Sequence, residues 1–334
     1  MSAPTIDVIG IGNAIVDVIA RSDDSTLSDL NLPKGGMQLI EESDIDRLYN
    51  AMAPAQERSG GSAANTMAGI ASFGGTAGLI ARVADDEFGK IFAHDIRSIG
   101  VSFESTPITD SDPTARCLIF VTPDGERTMN TYLGCSPALD KTEITPEHIQ
   151  SANILYLEGY LFDRDEARNA FHQACSIAKA AETRISLSLS DTFCVERHRD
   201  AFRELIDTHV DILFANEDEL RALTGNNNVE EATSQLAGSN KTIVTTRSAA
   251  GSFISHRSEN HKILSQPVKE VVDTTGAGDL YAAGFLYGYA RGLKINECGN
   301  LGSMAAAEVI SHIGARPEIS LRKLAEEKEL NIGS

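Results

Sequence analysis

Residues Asp273 to Asp279, Asp-Thr-Thr-Gly-Ala-Gly-Asp, place three small residues directly ahead of an acid and a long apolar run that reaches Ala290. Gly276, Ala277 and Gly278 carry little side chain to obstruct close approach. A helix starting there would point unpaired N–H groups and its positive dipole end at an anion. Such a turn is suited to phosphate. Asp279, in the first helical turn, complements the helix dipole in any case. Beside an anion hole it could also accept the proton of a hydroxyl that attacks phosphorus, an effect worth ~10²- to 10⁴-fold. The apolar residues just before the turn, Val271 and Val272, read as a short strand that delivers it.

Two other nucleotide motifs fail on inspection. Gly10-Ile11-Gly12 begins like a dinucleotide fingerprint, but Ile15 stands where the third glycine belongs and strand-like residues follow. Gly89-Lys90 lacks the earlier glycine of a Walker loop, since Ala84 is there, and Ile91 replaces the Ser or Thr. A dehydrogenase and a P-loop enzyme are therefore disfavoured.

Composition narrows the field further. The net charge of −19 opposes capture of DNA, RNA or an anionic membrane, and no basic patch stands out to offset it. An acidic enzyme can still hold a nucleotide if backbone amides, a few cations and a metal neutralise the phosphates. No segment reaches the roughly 18 to 20 unbroken apolar residues of a membrane span. The first 20 residues read as strand and turn rather than a secretory leader, so a cytoplasmic location is expected. Cys117, Cys135, Cys175, Cys194 and Cys298 are widely spaced, without a Cys-x-x-Cys, and read as buried reduced thiols.

The elements that must position these residues alternate. Strands are expected at Ile6 to Ile9, after Gly75, and near Ile154 to Leu157, Ile185 to Leu189, Ile212 to Phe214 and Thr242 to Thr245. Helical stretches lie between them, and two long helices close the chain at Asp279 to Arg291 and Glu297 to His312. Ser59 to Phe73 reads as a Ser-capped helix. This pattern predicts an α/β fold, a central mostly parallel sheet flanked by helices. The alternating run Ala14 to Ala20 and the hairpin around Pro123-Asp124-Gly125 do not fit that sheet and are assigned to a small β-sheet lid. The expected division is a large domain of residues 1–13, 59–105 and 134–334, and a small substrate-covering domain of residues 14–58 and 106–133.

Two long motifs in the right order carry a family resemblance. DTTGAGD, Asp273 to Asp279, resembles the C-terminal signature of the ribokinase-like (PfkB) carbohydrate and nucleoside kinases, and SGGSAANTMAGIASFGG, Ser59 to Gly75, resembles their N-terminal glycine signature. The likeness runs over nearly the whole chain. It is closest to the adenosine kinase branch, through GNAIVDVIA, GMQLIEE, PDGERTMNTYLG and YLEGYLF. Glu158 and Tyr160 depart from the more apolar pattern of animal adenosine kinases, which leaves the base open.

The resemblance implies roles one residue at a time. Asp279 would be the catalytic base and the amides of Gly276 to Gly278 the anion hole. Asp17 would grip two sugar hydroxyls, with Gly60 and Gly61 baring backbone to the sugar and Asn65 presenting its amide. Asn216 and Glu219 resemble the Asn-x-x-Glu element that organises Mg²⁺ through water, although an Asn-capped helix start gives the same spacing. Arg127 resembles a lid arginine that closes over the transferring phosphate, and a solvated hairpin arginine is equally compatible. Thr246 and Gly251 lie where the family contacts ATP, with Arg247 in place of a frequent glycine. Asp273 and Thr275 resemble the start of a monovalent-cation loop, which makes K⁺ a candidate activator. Tyr160 could stack beneath a purine or belong to the core. The function implied is ATP-dependent phosphorylation of a primary hydroxyl, adenosine to AMP first, with ribose, fructose or another nucleoside as the alternative substrate. A non-catalytic sugar or nucleotide sensor on the same fold is the contrasting class, disfavoured by the presence of Asp279. A monomer and a homodimer are both compatible with the sequence.

Overall fold

The computed structural model describes residues 5–237, 240–257 and 259–333. Among the described residues fourteen strands form two sheets. In chain order they are β1 (Ile6–Ile11), β2 (Ile15–Arg21), β3 (Met37–Leu39), β4 (Gln56–Gly60), β5 (Ala77–Ile80), β6 (Val101–Phe103), β7 (Ala115–Val121) and β8 (Arg127–Tyr132), followed by β9 (Ala152–Glu158), β10 (Arg184–Ser188), β11 (Ile212–Asn216), β12 (Thr242–Thr246), β13 (Ser252–His256) and β14 (Glu259–Ile263). The larger sheet has the order β14-β13-β12-β11-β10-β9-β1-β5-β6. It is parallel except for the terminal meander β12-β13-β14. Its central strands are buried on both faces, which is why they read as continuous apolar runs. Two apolar clusters cover the two faces. One is built with the helices Ser62–Ser72, Ala277–Ala290 and Ile295–Val309, and the other with Asp165–Ala180 and Arg199–Thr208.

The smaller sheet has the order β3-β8-β7-β2-β4. Its central hairpin, β7 with β8, turns through Thr122 to Glu126, where Gly125 takes a φ of 86° that L side chains rarely adopt. Alternation along β2 puts Ile15, Asp17 and Ile19 on one face.

Three expectations are corrected locally. The Ser59 helix begins only at Ser62. Residues 56–60 instead pair with β2 as β4, carrying the second sheet past the expected boundary at residue 58, and Gly61 at φ 104° makes the break. No strand precedes the Gly-Ala-Gly turn. Val271 and Val272 are 55% and 39% exposed, and the amides of Val272 and Asp273 donate to the Ile310 carbonyl at the end of the Ile295–Val309 helix. Without a neighbouring strand or an apolar surface to cover, two β-branched residues do not make a strand. Beyond the two expected closing helices a further one, Leu321–Glu327, packs under the glycine-signature helix.

Candidate active site

The two sheets enclose a cavity of about 1080 Å³. Its floor is where the Ser62–Ser72 and Ala277–Ala290 helices meet. A Cβ on Gly69 would lie 2.6 Å from the Ala283 Cβ, so only glycine permits this approach. One turn earlier on each helix stand Asn65 and Asp279. The close crossing brings them together: Asn65 Nδ2 donates to Asp279 Oδ2 at 3.1 Å, and Ser62 Oγ donates to Oδ1 at 2.6 Å. Surrounding protein pushes the Asp279 carboxyl up from 3.8 to about 6, with the Ser62 and Asn65 bonds pulling the other way. An acid in that range is well matched to proton transfer near neutrality.

The helix that carries Asp279 starts at Ala277, with Gly276 as its cap at φ 79°. No side chain caps it. The Ala277 amide turns back to the Thr274 carbonyl at 3.2 Å, so within the expected anion hole it is the amide already engaged. Gly276 is required here for a second reason. A Cβ would meet the Ala315 backbone at 2.7 to 2.8 Å, where the loop after the Ile295–Val309 helix crosses the turn.

Across the cavity Asp17 projects from β2. Burial raises its carboxyl to about 6, opposed first by Arg127 and then by Arg316. Gly60 does not line the cavity but stands behind this side chain: a Cβ there would lie 2.5 Å from Asp17 Oδ2. Gly61 lines the cavity, and a Cβ would collide with the Asn13 carbonyl at 2.3 Å. Asn216 and Glu219, at the β11 end of the cavity, form a closed capping box. Glu219 accepts from the Asn216 amide at 2.9 Å and from its Nδ2 at 2.8 Å, and Asn216 Oδ1 accepts from the Glu219 amide at 2.8 Å. The helix-cap geometry is therefore realised, and it buries Glu219 enough to raise its carboxyl to about 7.

Arg127 lines the cavity from β8 and is paired through one nitrogen: Nη1 meets Asp273 Oδ2 at 2.5 Å, with both side chains buried, while Nε is buried without a partner. Asp273 also accepts from the amides of Thr275 and Gly314, each at 2.9 Å. It is thus occupied by protein donors, while Thr275 lines the cavity. Thr246, at the end of β12, lines the cavity as well. Gly251 does not. It turns β12 into β13 at φ 82°, and a Cβ would strike the Ile263 carbonyl at 2.0 Å. Arg247 donates to Glu217 at 3.0 Å. Tyr160 lies on a short helical turn after β9, lines the cavity and is 42% exposed, so it belongs to the wall rather than to the core.

Glu158 was read from the sequence only as a departure from an apolar pattern. It ends β9, lines the cavity and is buried. Its carboxylate accepts from Asn13 Nδ2 at 2.6 Å, the Ala63 amide at 2.7 Å and the Asn13 amide at 3.3 Å. Burial nevertheless outweighs these bonds and raises it to about 7. Asn13 and Ala63 flank two of the four places where the chain passes between the sheets, so one carboxylate ties these two crossings. The lid side of the cavity carries an apolar stretch, Ile15, Met37, Leu39, Cys117, Ile119 and Met129, beside Asp17, Arg127 and Thr131.

A mostly parallel sheet with a smaller sheet beside it, over an uncapped helix start and a half-buried acid, is the arrangement of the ribokinase-like fold. The chain matches the pfkB family carbohydrate kinase model over residues 37–321 and belongs to that family. Among solved structures, it is 46% identical to the adenosine kinase from Sinorhizobium meliloti, at a TM-score of 0.88 and covering 97% of this chain and 99% of that one. It is 43% identical to a probable sugar kinase from Rhizobium etli CFN 42, at a TM-score of 0.90 and covering 98% and 100%. An ATP-dependent ribose-1-phosphate kinase from Halopiger xanaduensis is 31% identical over 72% of this chain and 78% of its own length.

Proposed function

We propose that this kinase transfers the γ-phosphoryl group of ATP to the primary hydroxyl of a nucleoside, adenosine first. The observation that carries the reading is the pairing of Asp279 with Asn65 and Ser62 at an uncapped helix start, facing Asp17 in the same cavity. Asp17 and Asn65 hold the ribose hydroxyls. Asp279 takes the proton as the oxygen-to-phosphorus bond forms and the bond to the ADP leaving oxygen breaks. The free amides at the helix start receive charge on the phosphoryl oxygens. Lid closure excludes water that would otherwise hydrolyse ATP.

The apolar stretch of the lid wall and the exposed Tyr160 ring favour a substrate with a flat apolar part over a free sugar, because a base can cover them and a pentose cannot. Similarity to the Sinorhizobium meliloti adenosine kinase supports the same choice. Among the described residues no group of three or more His, Cys, Asp or Glu side chains could cage a metal. That suits Mg²⁺ carried on nucleotide phosphates, with Glu219 acting through water and the ion spreading phosphate charge. Asp273 and Thr275 remain the candidates for a K⁺ loop, through carbonyl oxygens, since the Asp273 carboxylate is already bonded.

The deciding experiment is an ATP-consumption screen over nucleosides and free sugars with Mg²⁺, with and without K⁺. Adenosine should be the best substrate by kcat/KM. A free sugar that outperforms every nucleoside would replace the substrate assignment, and no turnover of any hydroxyl compound would favour a sensor.

A further inference from the structure

Arg316 lies on the loop that crosses the Gly276 turn, and its side chain is only 14% exposed. Its Nε donates to Asn65 Oδ1 at 3.3 Å and its Nη1 to Asp95 Oδ2 at 3.3 Å, while Nη2 is buried without a partner. Asp95 is itself fixed, because it accepts from the amide of Ser59 at 2.8 Å and from the Ser59 hydroxyl. The guanidinium is thus held between the lid strand that ends beside Asp17 and the amide that bonds the base.

An Asn side chain has one accepting and one donating end. With Oδ1 turned to Arg316, Nδ2 must face Asp279. The flipped amide would set its oxygen against the Asp279 carboxylate and its N–H groups against a guanidinium, losing both bonds. We propose that Arg316 is a positioning residue for proton transfer: it locks the Asn65 amide so that Nδ2 donates to Asp279. The inference rests on the reading of Asp279 as the base.

The electrostatic setting makes this contribution matter. Asp279 faces Glu158 and Tyr156 on β9, Tyr160 beyond that strand, and Glu219 at the start of the Glu217–Thr224 helix, all groups that are neutral or negative. Asp17 faces Arg127 and Arg316. Arg316 itself is held below the usual guanidinium range, at about 10, mainly by burial, so it remains charged throughout the working range.

The test compares wild type with Arg316→Gln and Arg316→Lys, using Asp279→Asn as control. Two readouts are followed: the pH titration of the Asp279 carboxyl ¹³C resonance, assigned by its absence in Asp279→Asn, and kcat against pH on whichever hydroxyl compound is turned over. Arg316→Gln should move the Asp279 midpoint up by about one unit. The acid limb of kcat should follow, with a roughly fivefold loss at pH 6 and almost none at pH 8 from ionisation alone. Arg316→Lys keeps the charge but not the fork, so it should move the midpoint in the same direction as Arg316→Gln, through the loosened Asn65 bond. An unmoved midpoint in Arg316→Gln, or a loss of kcat that is uniform across pH, overturns the proposal. Where Arg316→Gln does not fold, Arg316→Lys carries the test through kcat alone: the lysine cannot reproduce the fork that holds Asn65, so a kcat equal to wild type overturns the proposal. Should Asp279→Asn keep normal turnover, the base assignment falls; should it be inactive while the Arg316 variants titrate like wild type, only the positioning role falls.

Discussion

Replacing Asp279 with Asn should cost activity and yield stability, and the size of both follows from the site. The carboxyl sits at about 6 in the folded protein against 3.8 in the unfolded chain. The fold therefore disfavours its ionised form by roughly two units, about 3 kcal/mol at neutral pH. The sign is that of a raised acid: the penalty is absent below the unfolded value, grows as pH rises and is complete above about 6 to 7. Asparagine removes it while keeping the contacts, because its oxygen can accept from Asn65 Nδ2 and its amide can donate to Ser62 Oγ, whose hydroxyl rotates to accept. A net gain of about 2 to 3 kcal/mol at pH 7.5 is expected, or roughly 3 to 4 °C in Tm for a chain unfolding with about 0.7 kcal/mol/K of entropy. Near pH 4 the gain should shrink to about 0.5 kcal/mol. Turnover should meanwhile fall ~10²- to 10⁴-fold. Calorimetry from pH 4 to 8 and steady-state kinetics on the same preparations make the check. A Tm difference that does not change with pH refutes the desolvation account, and a kcat within a few-fold of wild type refutes the base.

Gly60→Ala should raise KM for the hydroxyl substrate by about tenfold or more with a smaller effect on kcat, since its Cβ would displace the Asp17 carboxylate; initial-rate kinetics decide it. Arg127→Ala or Asp273→Asn should each destabilise by about 3 to 5 kcal/mol in urea unfolding, because each leaves one member of a buried ion pair alone. The double variant should cost clearly less than the sum of the two. Glu158→Gln should destabilise by about 1 to 3 kcal/mol despite removing a buried charge, since an amide must turn N–H groups towards an Asn13 or Ala63 donor; a Tm at or above wild type would contradict this.

The fold was readable because its signal is local and repeated: apolar runs of strand length alternate with helical stretches, and Pro123-Asp124-Gly125 marks the hairpin that departs from them. The Gly-Ala-Gly turn, Asp279 and the Asn216–Glu219 box were readable for the same reason, each being a few consecutive residues whose geometry is set by themselves. Val271 and Val272 misled because strand propensity is a statement about packing partners, and here the chain offers none. Ser59 misled because a serine ahead of a helix and a serine on a lid strand look alike until Gly61 is known to break the chain. Glu158 and Arg316 carried no local signal for their contacts. The first bonds residues 145 and 95 positions away, the second a residue 251 positions away, and only the folded topology brings those pairs together.

Two acids in one cavity, Glu158 buried and Asp279 half-buried, show why loss of water alone does not assign a role. Asp279 and Glu158 are both raised above their ordinary values by loss of water, and on that measure either could be the base. Their partners separate them. Glu158 spends its oxygens on the Asn13 amide, the Asn13 side chain and the Ala63 amide, donors that belong to the framework joining the two sheets. A proton gained there would cost the junction its bonds. Asp279 takes one bond to each oxygen, from the Ser62 and Asn65 side chains rather than from the crossings, and sits on the first turn of an uncapped helix. Gaining a proton leaves that framework intact. The acid that can change its protonation without unfastening the fold is the one beside the uncapped helix start, and the one that cannot lies at the junction between the sheets.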